Sequence, residues 1–373
     1  MALIESLCVF KKFLISLILV ALINHAFAQD LGNSIEFNTE LSLKYFPSTN
    51  HLSGKVYGGE LIYHKSINTS WQRRMNIESQ DWVLRFNTLR SLKINENKNQ
   101  FGDSYALLYG LNFFLLKTKY VNLNFSPAFG LGYTNKTIYT NENRIIGSHI
   151  NIYARGALKT EINIAPSVKL LTGINFLHLS NAATRVPNMG LNQSSLSFGI
   201  LKKLKSIDNR YPNENLGAFS DTTLNKHELQ FGINLGRRGA YKSSKGLFRS
   251  AFYLGYNYKF NYFLSLSSGI DAIYYHKVYD ADNNLGTYQS LATSFDNWRL
   301  GTAIGPSVRI GKFLISPKYG YYLYFNSLKP IQTYWTANSD YHFHKKLAFQ
   351  TKLYVHKAEA DFIGFGFTYN LTL

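Results

Sequence analysis

"DFIGFGFTYNLTL", residues 361–373, decides the fold class. Ile363, Phe365, Phe367, Tyr369, Leu371 and Leu373 alternate with Gly364, Gly366, Thr368, Asn370 and Thr372. Successive side chains of a strand point to opposite faces, so a period of two is the strand period. One face of this segment is continuously apolar and rich in aromatics; the other is small and polar. The exposed face of a soluble sandwich usually carries charges. A small-polar interior with an aromatic-apolar exterior is the pattern of a β-barrel in a membrane.

Working outward, the same alternation predicts strands near 34–45, 55–65, 81–93, 103–117, 119–133, 148–162, 166–181 and 192–204. A second set lies near 226–236, 248–259, 261–277, 296–310, 312–325, 335–344, 346–357 and 361–373. With 27 Tyr, 27 Phe and 4 Trp against only 8 Pro, the composition favours strands over helices. No segment after the N-terminus has 18 consecutive apolar residues, which excludes transmembrane helices. The expected class is therefore all-β, an antiparallel transmembrane β-barrel. A last strand ending in an apolar residue also resembles the outer-membrane insertion signal, with Leu373 in place of the usual terminal aromatic.

Between the two sets lies "SIDNRYPNENLGAFSDTTLN", 206–225, a polar stretch read as a linker or long turn. The sets look alike. "LTGINFLHLSNA" followed by "LNQSSLSFGI" matches "FQTKLYVHKAEA" followed by "DFIGFGFTY" in pattern. Duplication of an eight-strand unit leaves two outcomes: tandem eight-strand barrels, or one wider barrel of 14–16 strands. The units would be 29–205 and 226–373.

The N-terminus reads as a cleaved export signal. Lys11 and Lys12 precede the apolar run "FLISLILVALI", and Ala26-Phe27-Ala28 supplies a small-x-small cleavage site. The expected mature chain starts at Gln29, and the expected location is the outer membrane. Cys8, the only cysteine, lies within 1–28. The mature chain thus has no disulfide, no thiolate metal site and no cysteine nucleophile. The formal charge is +18, from 40 Lys and Arg against 22 Asp and Glu. For an exported chain, anionic lipid phosphates fit this excess better than nucleic acid does.

Chemistry enters at "NFLHLSNAATRVPNMGLN", residues 175–192. Ile174, Phe176, His178 and Ser180 share one face of a strand, and the row starts apolar. On the next strand Asn192, Ser194, Leu196, Phe198 and Ile200 share a face, while Gln193, Ser195, Ser197 and Gly199 suit an interior. His178, Ser180 and Asn192 therefore end outward rows at the facing ends of two antiparallel strands. Serine needs a base to take its proton, a neutral histidine supplies one near pH 7, and a third group fixes the ring. Asn192 could accept the second ring N–H. Asn181 and nearby backbone N–H groups would form an oxyanion hole. The bland alternative is a polar girdle at the membrane interface.

At these residues the chain resembles the lipid A 3-O-deacylase family, also labelled acyloxyacyl hydrolase, of outer-membrane eight-strand barrels. The match is carried by His-x-Ser-Asn at 178–181 and Pro-Asn-x-Gly-x-Asn at 187–192. "FGDSYALLYG", 101–110, is also similar. The resemblance implies Ser180 as nucleophile, His178 as base and Asn181 as oxyanion contributor, without metal or organic cofactor. It implies lipid A, the acylated anchor of lipopolysaccharide, as substrate, with outer-membrane lipids around the barrel and room for a homodimer. The family commonly has Glu where Asn192 stands here, so the third role departs from the family pattern.

The second half has no His-x-Ser pair. His356 stands where His178 would, in "HKAEADF", and its parity turns it inward, so no catalysis is expected there. "DADNNLG", 280–286, has a glycine one place late for a calcium loop and reads as a turn. His342 and His344 read as rim residues rather than metal ligands. The rival function is a porin-like or structural barrel, and a charge-lined lumen would favour it; a closed, narrow lumen would favour the enzyme. Acyl transfer between lipids is a third reading.

Overall fold

The computed structural model describes residues 32–46, 52–66, 70–94, 99–204, 225–240, 246–278, 294–327, 331–357 and 359–373. The expected signal segment, the 206–225 linker apart from Asn225, and the 280–286 turn lie outside them. Ten strands come from the first half: β1 (Ser34–Phe46), β2 (Leu52–Ser53), β3 (Tyr57–Ser66), β4 (Ile77–Thr88), β5 (Lys93–Ile94), β6 (Asp103–Lys117), β7 (Val121–Thr134), β8 (Ile150–Ala165), β9 (Val168–Ser180) and β10 (Leu191–Lys203). The second half gives β11 (His227–Gly239), β12 (Gly246–Lys259), β13 (Leu264–Tyr275), β14 (Trp298–Ile310), β15 (Phe313–Tyr324), β16 (Thr333–His342), β17 (Leu347–His356) and β18 (Glu359–Thr372).

Each half closes its own ring. The order β1-β10-β9-β8-β7-β6-β4-β3 forms one closed antiparallel barrel, and β11 to β18 in sequence order form another. The single wider barrel is thereby excluded. Closure follows from pairing the first strand of each half with the last: Phe37 with Ile200 in one, Ile233 with Phe367 in the other. Neither ring leaves an edge strand unpaired, as a barrel requires in lipid. The tiny β2 and β5 pair outside the rings.

Side chains obey the alternation read from the sequence. Phe365, Phe367 and Tyr369 point outward and are exposed, while Thr368 and Asn370 are buried. Ile363 departs from its row: it is buried beside Phe362, next to a register shift between Tyr354 and Val355. Phe129, Leu131, Ile174 and Phe198 are each more than half exposed on the first barrel. Such contiguous apolar rows suit lipid and not water.

One strand was expected four residues too late. β4 runs over 77–88, not 81–93. Ser79 and Asp81 near its start are polar because they point inward, where Ser79 bonds the Asp81 carboxylate at 2.6 Å. Leu89 and Leu92, within the expected strand range, are buried in an apolar plug with Phe101, Ile145, Ile146, Leu177, Leu179 and Leu191. Apolarity there seals one end of the barrel rather than facing lipid.

Beneath that plug the first lumen is charged, and the charges are paired. Arg85 donates to Glu40 at 2.6 and 2.9 Å and also pairs with Glu60. Arg155 reaches Glu60 at 2.7 Å, and Lys159 reaches Glu36 at 2.7 Å. His64 bridges Asp81 at 2.7 Å and Glu36 at 2.9 Å. All of these side chains are buried. The charged lining expected of a porin is present, yet it fills the barrel as a solid ion-pair core.

The second barrel is filled differently. Asp271 pairs with Lys352 and accepts from the Tyr334 hydroxyl at 2.9 Å and the Tyr354 hydroxyl at 3.2 Å. Asp361 meets Arg249 at 3.2 Å and the Tyr275 hydroxyl at 2.5 Å. His356 lies inside, as its parity predicts, with the Tyr322 hydroxyl at 2.5 Å from its Nε2.

Candidate active site

The candidate site is built where β9 and β10 run into their connecting loop. The two strands pair in the order Leu179–Leu191, His178–Asn192, Leu177–Gln193. Leu177, Leu179 and Leu191 point inward into the apolar plug. That fixes the parity of the strand ends, so His178, Ser180 and Asn192 must point outward. They are half-buried, in line with the exposed Ile174 and Phe176 on β9 and Phe198 and Ile200 on β10. A one-residue slip would exchange the two faces, and the plug opposes it.

His178 and Asn192 are directly opposite and hydrogen-bonded, with Nδ1 and Oδ1 2.6 Å apart. The amide oxygen can only accept, so Nδ1 carries the hydrogen and Nε2 is left with its lone pair. That is the tautomer a general base needs. Ser180 follows on the same row, about 7 Å further along the strand at its backbone. The side chains converge on Gly190. A Cβ there would meet Leu179 O at 3.2 Å, Ser180 Cβ at 3.4 Å and His178 Cε1 at 3.5 Å. The imidazole edge and the serine thus approach one point, and Gly190, with φ of 73°, turns the chain there without filling it.

Asn181 is buried, as its inward parity implies. Its Nδ2 donates to Arg185 O at 3.0 Å, and its own carbonyl accepts from Thr184 N at 3.1 Å and Thr184 Oγ1 at 2.9 Å. Ala182 and Ala183 adopt positive φ, 51° and 63°, so the chain leaves the strand sharply at this point. Gly190 N donates to Ile145 O at 2.9 Å, which ties the end of the site loop to the 135–149 loop.

Three neighbours were not foreseen. Lys44 reaches the outward face of β1 through a register shift after Ser42 and pairs with Ser194, one strand beyond the site. On the other side, Ala154 of β8 lies opposite His178 and Gly156 opposite Phe176. Strict alternation from Ser42 would have turned Lys44 inward; the bulge reverses it. A separate outward groove of about 910 Å³, lined by Tyr57, Leu84, Tyr105, Leu131 and Tyr133 among others, contains none of His178, Ser180 and Asn192. Among the described residues no three His, Cys, Asp or Glu side chains gather as a metal site.

Residues 59–200 match the family model of lipid A 3-O-deacylase (PagL), and residues 227–372 match that of the acyloxyacyl hydrolase C-terminal domain. No curated protein matches the chain. Among solved structures, the outer membrane enzyme PagL is 15% identical, with 44% of this chain and 97% of that one covered at a TM-score of 0.31. Neisserial surface protein A is 10% identical, with 46% and 97% covered at a TM-score of 0.30. The siderophore receptor PirA from Pseudomonas aeruginosa is 10% identical, with 92% and 81% covered at a TM-score of 0.21. With one barrel matched by each of two models of the same enzyme class, the chain belongs to the lipid A 3-O-deacylase (acyloxyacyl hydrolase) family of outer-membrane β-barrel hydrolases.

Proposed function

We propose that the protein is a serine esterase that removes ester-linked acyl chains from lipid A, using Ser180 as nucleophile, His178 as base and Asn192 as the group that orients the ring. The observation that carries this reading is the 2.6 Å His178–Asn192 bond on a lipid-facing row that also holds Ser180. A water-soluble substrate has no reason to meet that row; an acyl chain standing in the outer leaflet does.

The chemistry runs in two halves. His178 Nε2 takes the Ser180 hydroxyl proton as Oγ attacks the ester carbonyl. The Asn181 amide and neighbouring backbone N–H groups stabilise the oxyanion, an effect worth about 10²–10³ in rate per donor. Collapse breaks the ester C–O bond, and the imidazolium returns its proton to the sugar alkoxide. Water then enters, gives a proton to His178 and releases the fatty acid from Ser180. Asn192 holds the ring but brings no negative charge to the imidazolium. Lys44, exposed on the same outward side, offers a cation to a phosphate of the sugar head. Export with cleavage after Ala28 would deliver the chain from Gln29 to the outer membrane. The lipid A chemistry would reside in 29–205, joined through 206–225 to 226–373.

The test is mass spectrometry of lipid A from cells expressing the wild type or Ser180→Ala, with barrel folding checked by heat-dependent migration on gels. Loss of one fatty acid with the wild type only is the expected result, and the released species, free acid or a newly acylated lipid, separates hydrolysis from transfer. An unchanged lipid A profile with folded wild type would overturn the reading.

A further inference from the structure

The second barrel carries a serine–histidine contact that no His-x-Ser motif announces. Ser250 on β12 and His276, immediately after β13, are 26 residues apart in sequence. In space Ser250 Oγ lies 2.9 Å from His276 Nε2. The strands bring them together diagonally: Ser250 pairs with Tyr274, and Arg249 with Tyr275, so His276 stands one step beyond. Both belong to outward rows. Ser250 lies between Phe248 and Phe252, which are exposed, while Arg249 and Ala251 are buried. His276 continues the row of Ile270, Ala272 and Tyr274 and is itself exposed. The pair lies at the end of its barrel that carries the longer connections, after 240–245 and before 276–297, away from the short turns at 260–263 and 311–312.

The histidine is held in place by its surroundings. Its backbone N donates to Phe248 O at 3.3 Å. The preceding residue is clamped by Asn297, whose carbonyl accepts from Tyr275 N at 2.7 Å and whose Nδ2 donates to Tyr275 O at 2.8 Å. The imidazole meets the Tyr274 ring edge-on with centroids 5.1 Å apart, and Tyr274 meets Trp298 edge-on at 5.0 Å. Ring packing and a fixed backbone thus hold the imidazole beside the hydroxyl.

We propose that Ser250 and His276 form a second esterolytic centre, on the second barrel, for carboxylic esters of membrane amphiphiles other than the lipid A ester assigned to Ser180. A serine hydroxyl bonded to a histidine nitrogen is the minimal activated nucleophile. The exposed Phe248, Phe252 and Trp298 around it form a surface that aligns an amphiphile at the level of its ester groups. In the first half-reaction, His276 Nε2 takes the Ser250 proton, Oγ bonds to the ester carbonyl carbon, the ester C–O bond breaks, and the proton passes to the leaving alcohol. In the second, water donates a proton to His276 and its hydroxide to the acyl group, releasing a carboxylic acid and restoring Ser250. The centre does not depend on Ser180, and it would add chemistry to a half in which the sequence leads us to expect none.

The experiment uses the full-length protein in detergent micelles, as Ser180→Ala, Ser180→Ala/Ser250→Ala, Ser180→Ala/His276→Ala and Ser180→Ala/His276→Gln. A fluorophosphonate probe is applied, adducts are located by peptide mass spectrometry, and hydrolysis of a medium-chain p-nitrophenyl ester is followed. The expected result is a Ser250 adduct in Ser180→Ala that forms at least about tenfold more slowly in both His276 variants, with ester hydrolysis falling in parallel and lost with Ser250→Ala. Folded Ser180→Ala without a Ser250 adduct, or an adduct rate indifferent to both His276 variants, would overturn the proposal. Labelling the wild type reads Ser180 separately: adducts at Ser250 but never at Ser180 would defeat the reading of the first barrel and leave this one standing.

Discussion

His178 and Asn192 face each other across β9 and β10 in direct register, with Nδ1 and Oδ1 2.6 Å apart. Asn192→Asp keeps the oxygen on the same three-atom reach and adds a negative charge beside an imidazole that, in the proposed mechanism, becomes cationic in the transition state. Charges at this distance in a half-buried site interact strongly. The expected outcome is kcat about tenfold above the wild type with KM little changed. Asn192→Leu keeps the volume, removes the acceptor and frees the tautomer, so kcat should fall by about 10²-fold. Steady-state kinetics on purified lipid A decide the matter. If both substitutions leave kcat within twofold of the wild type, Asn192 has no orienting role.

Gly190 closes the site from the loop side. Its φ of 73° lies in the left-handed region, and a Cβ there would press on Leu179 O at 3.2 Å and on Ser180 and His178 just beyond. The conformation alone costs a non-glycine residue about 1–2 kcal/mol. Gly190→Ala should lower thermal stability and, because the tight contact falls on the Leu179 carbonyl between His178 and Ser180, lower kcat as well. A Gly190→Ala enzyme with wild-type kcat would mean that the loop turn does not set the site geometry.

The lumen decides between hydrolase and pore. Arg85 is fully buried between Glu40 and Glu60, and Arg155 completes the bridge to Glu60 at 2.7 Å. Removing one member of a buried pair leaves an uncompensated charge and costs about 3–5 kcal/mol. Arg85→Met should therefore lower the urea midpoint of the folded barrel markedly. The wild type, inserted in planar bilayers, should show no steady single-channel conductance, because every lumen charge named above is matched. Open channels in the wild type would favour the porin-like reading.

The sequence displayed the barrel and the outward face of the candidate site for one reason and concealed the rest for another. Alternation is local, so Phe365, Phe367 and Tyr369 reveal their face without a partner strand, and so do His178, Ser180 and Asn192. Ring closure is not local. Nothing in the residues around Phe37 says that it pairs with Ile200 rather than with a strand of the second half, and so tandem and wide barrels could not be told apart. Inward charges are legible only one strand at a time: Glu36, Glu40, Glu60 and Arg85 have inward parity, but that they neutralise one another depends on register across several strands. The same limit hid Ser250 and His276. Each has a readable outward parity, but their contact exists only once β12 and β13 are aligned. The Lys44 bulge shows alternation itself failing at one residue.

Beside the site, β8 presents a shallow trench. Ala154 is opposite His178 and Gly156 opposite Phe176, while the next strand raises Phe129 opposite Ala154 and Pro127 opposite Gly156. Small side chains between two aromatic walls leave a path along the barrel, running from the reacting pair towards Leu158, for an extended acyl chain. A Cβ on Gly156 would touch only Phe125 Cε2, at 3.7 Å, which is an ordinary contact, so larger residues are compatible with the fold. Gly156→Leu should therefore fold normally and fill the trench about two residue pairs below Ser180. Against lipid A analogues of graded acyl length, KM should rise several-fold for long chains and stay close to wild type for chains too short to reach Gly156. The dependence on length is the informative quantity: a uniform loss across all lengths would indicate damage to the site, and no loss at any length would place the acyl chain on another face of β9.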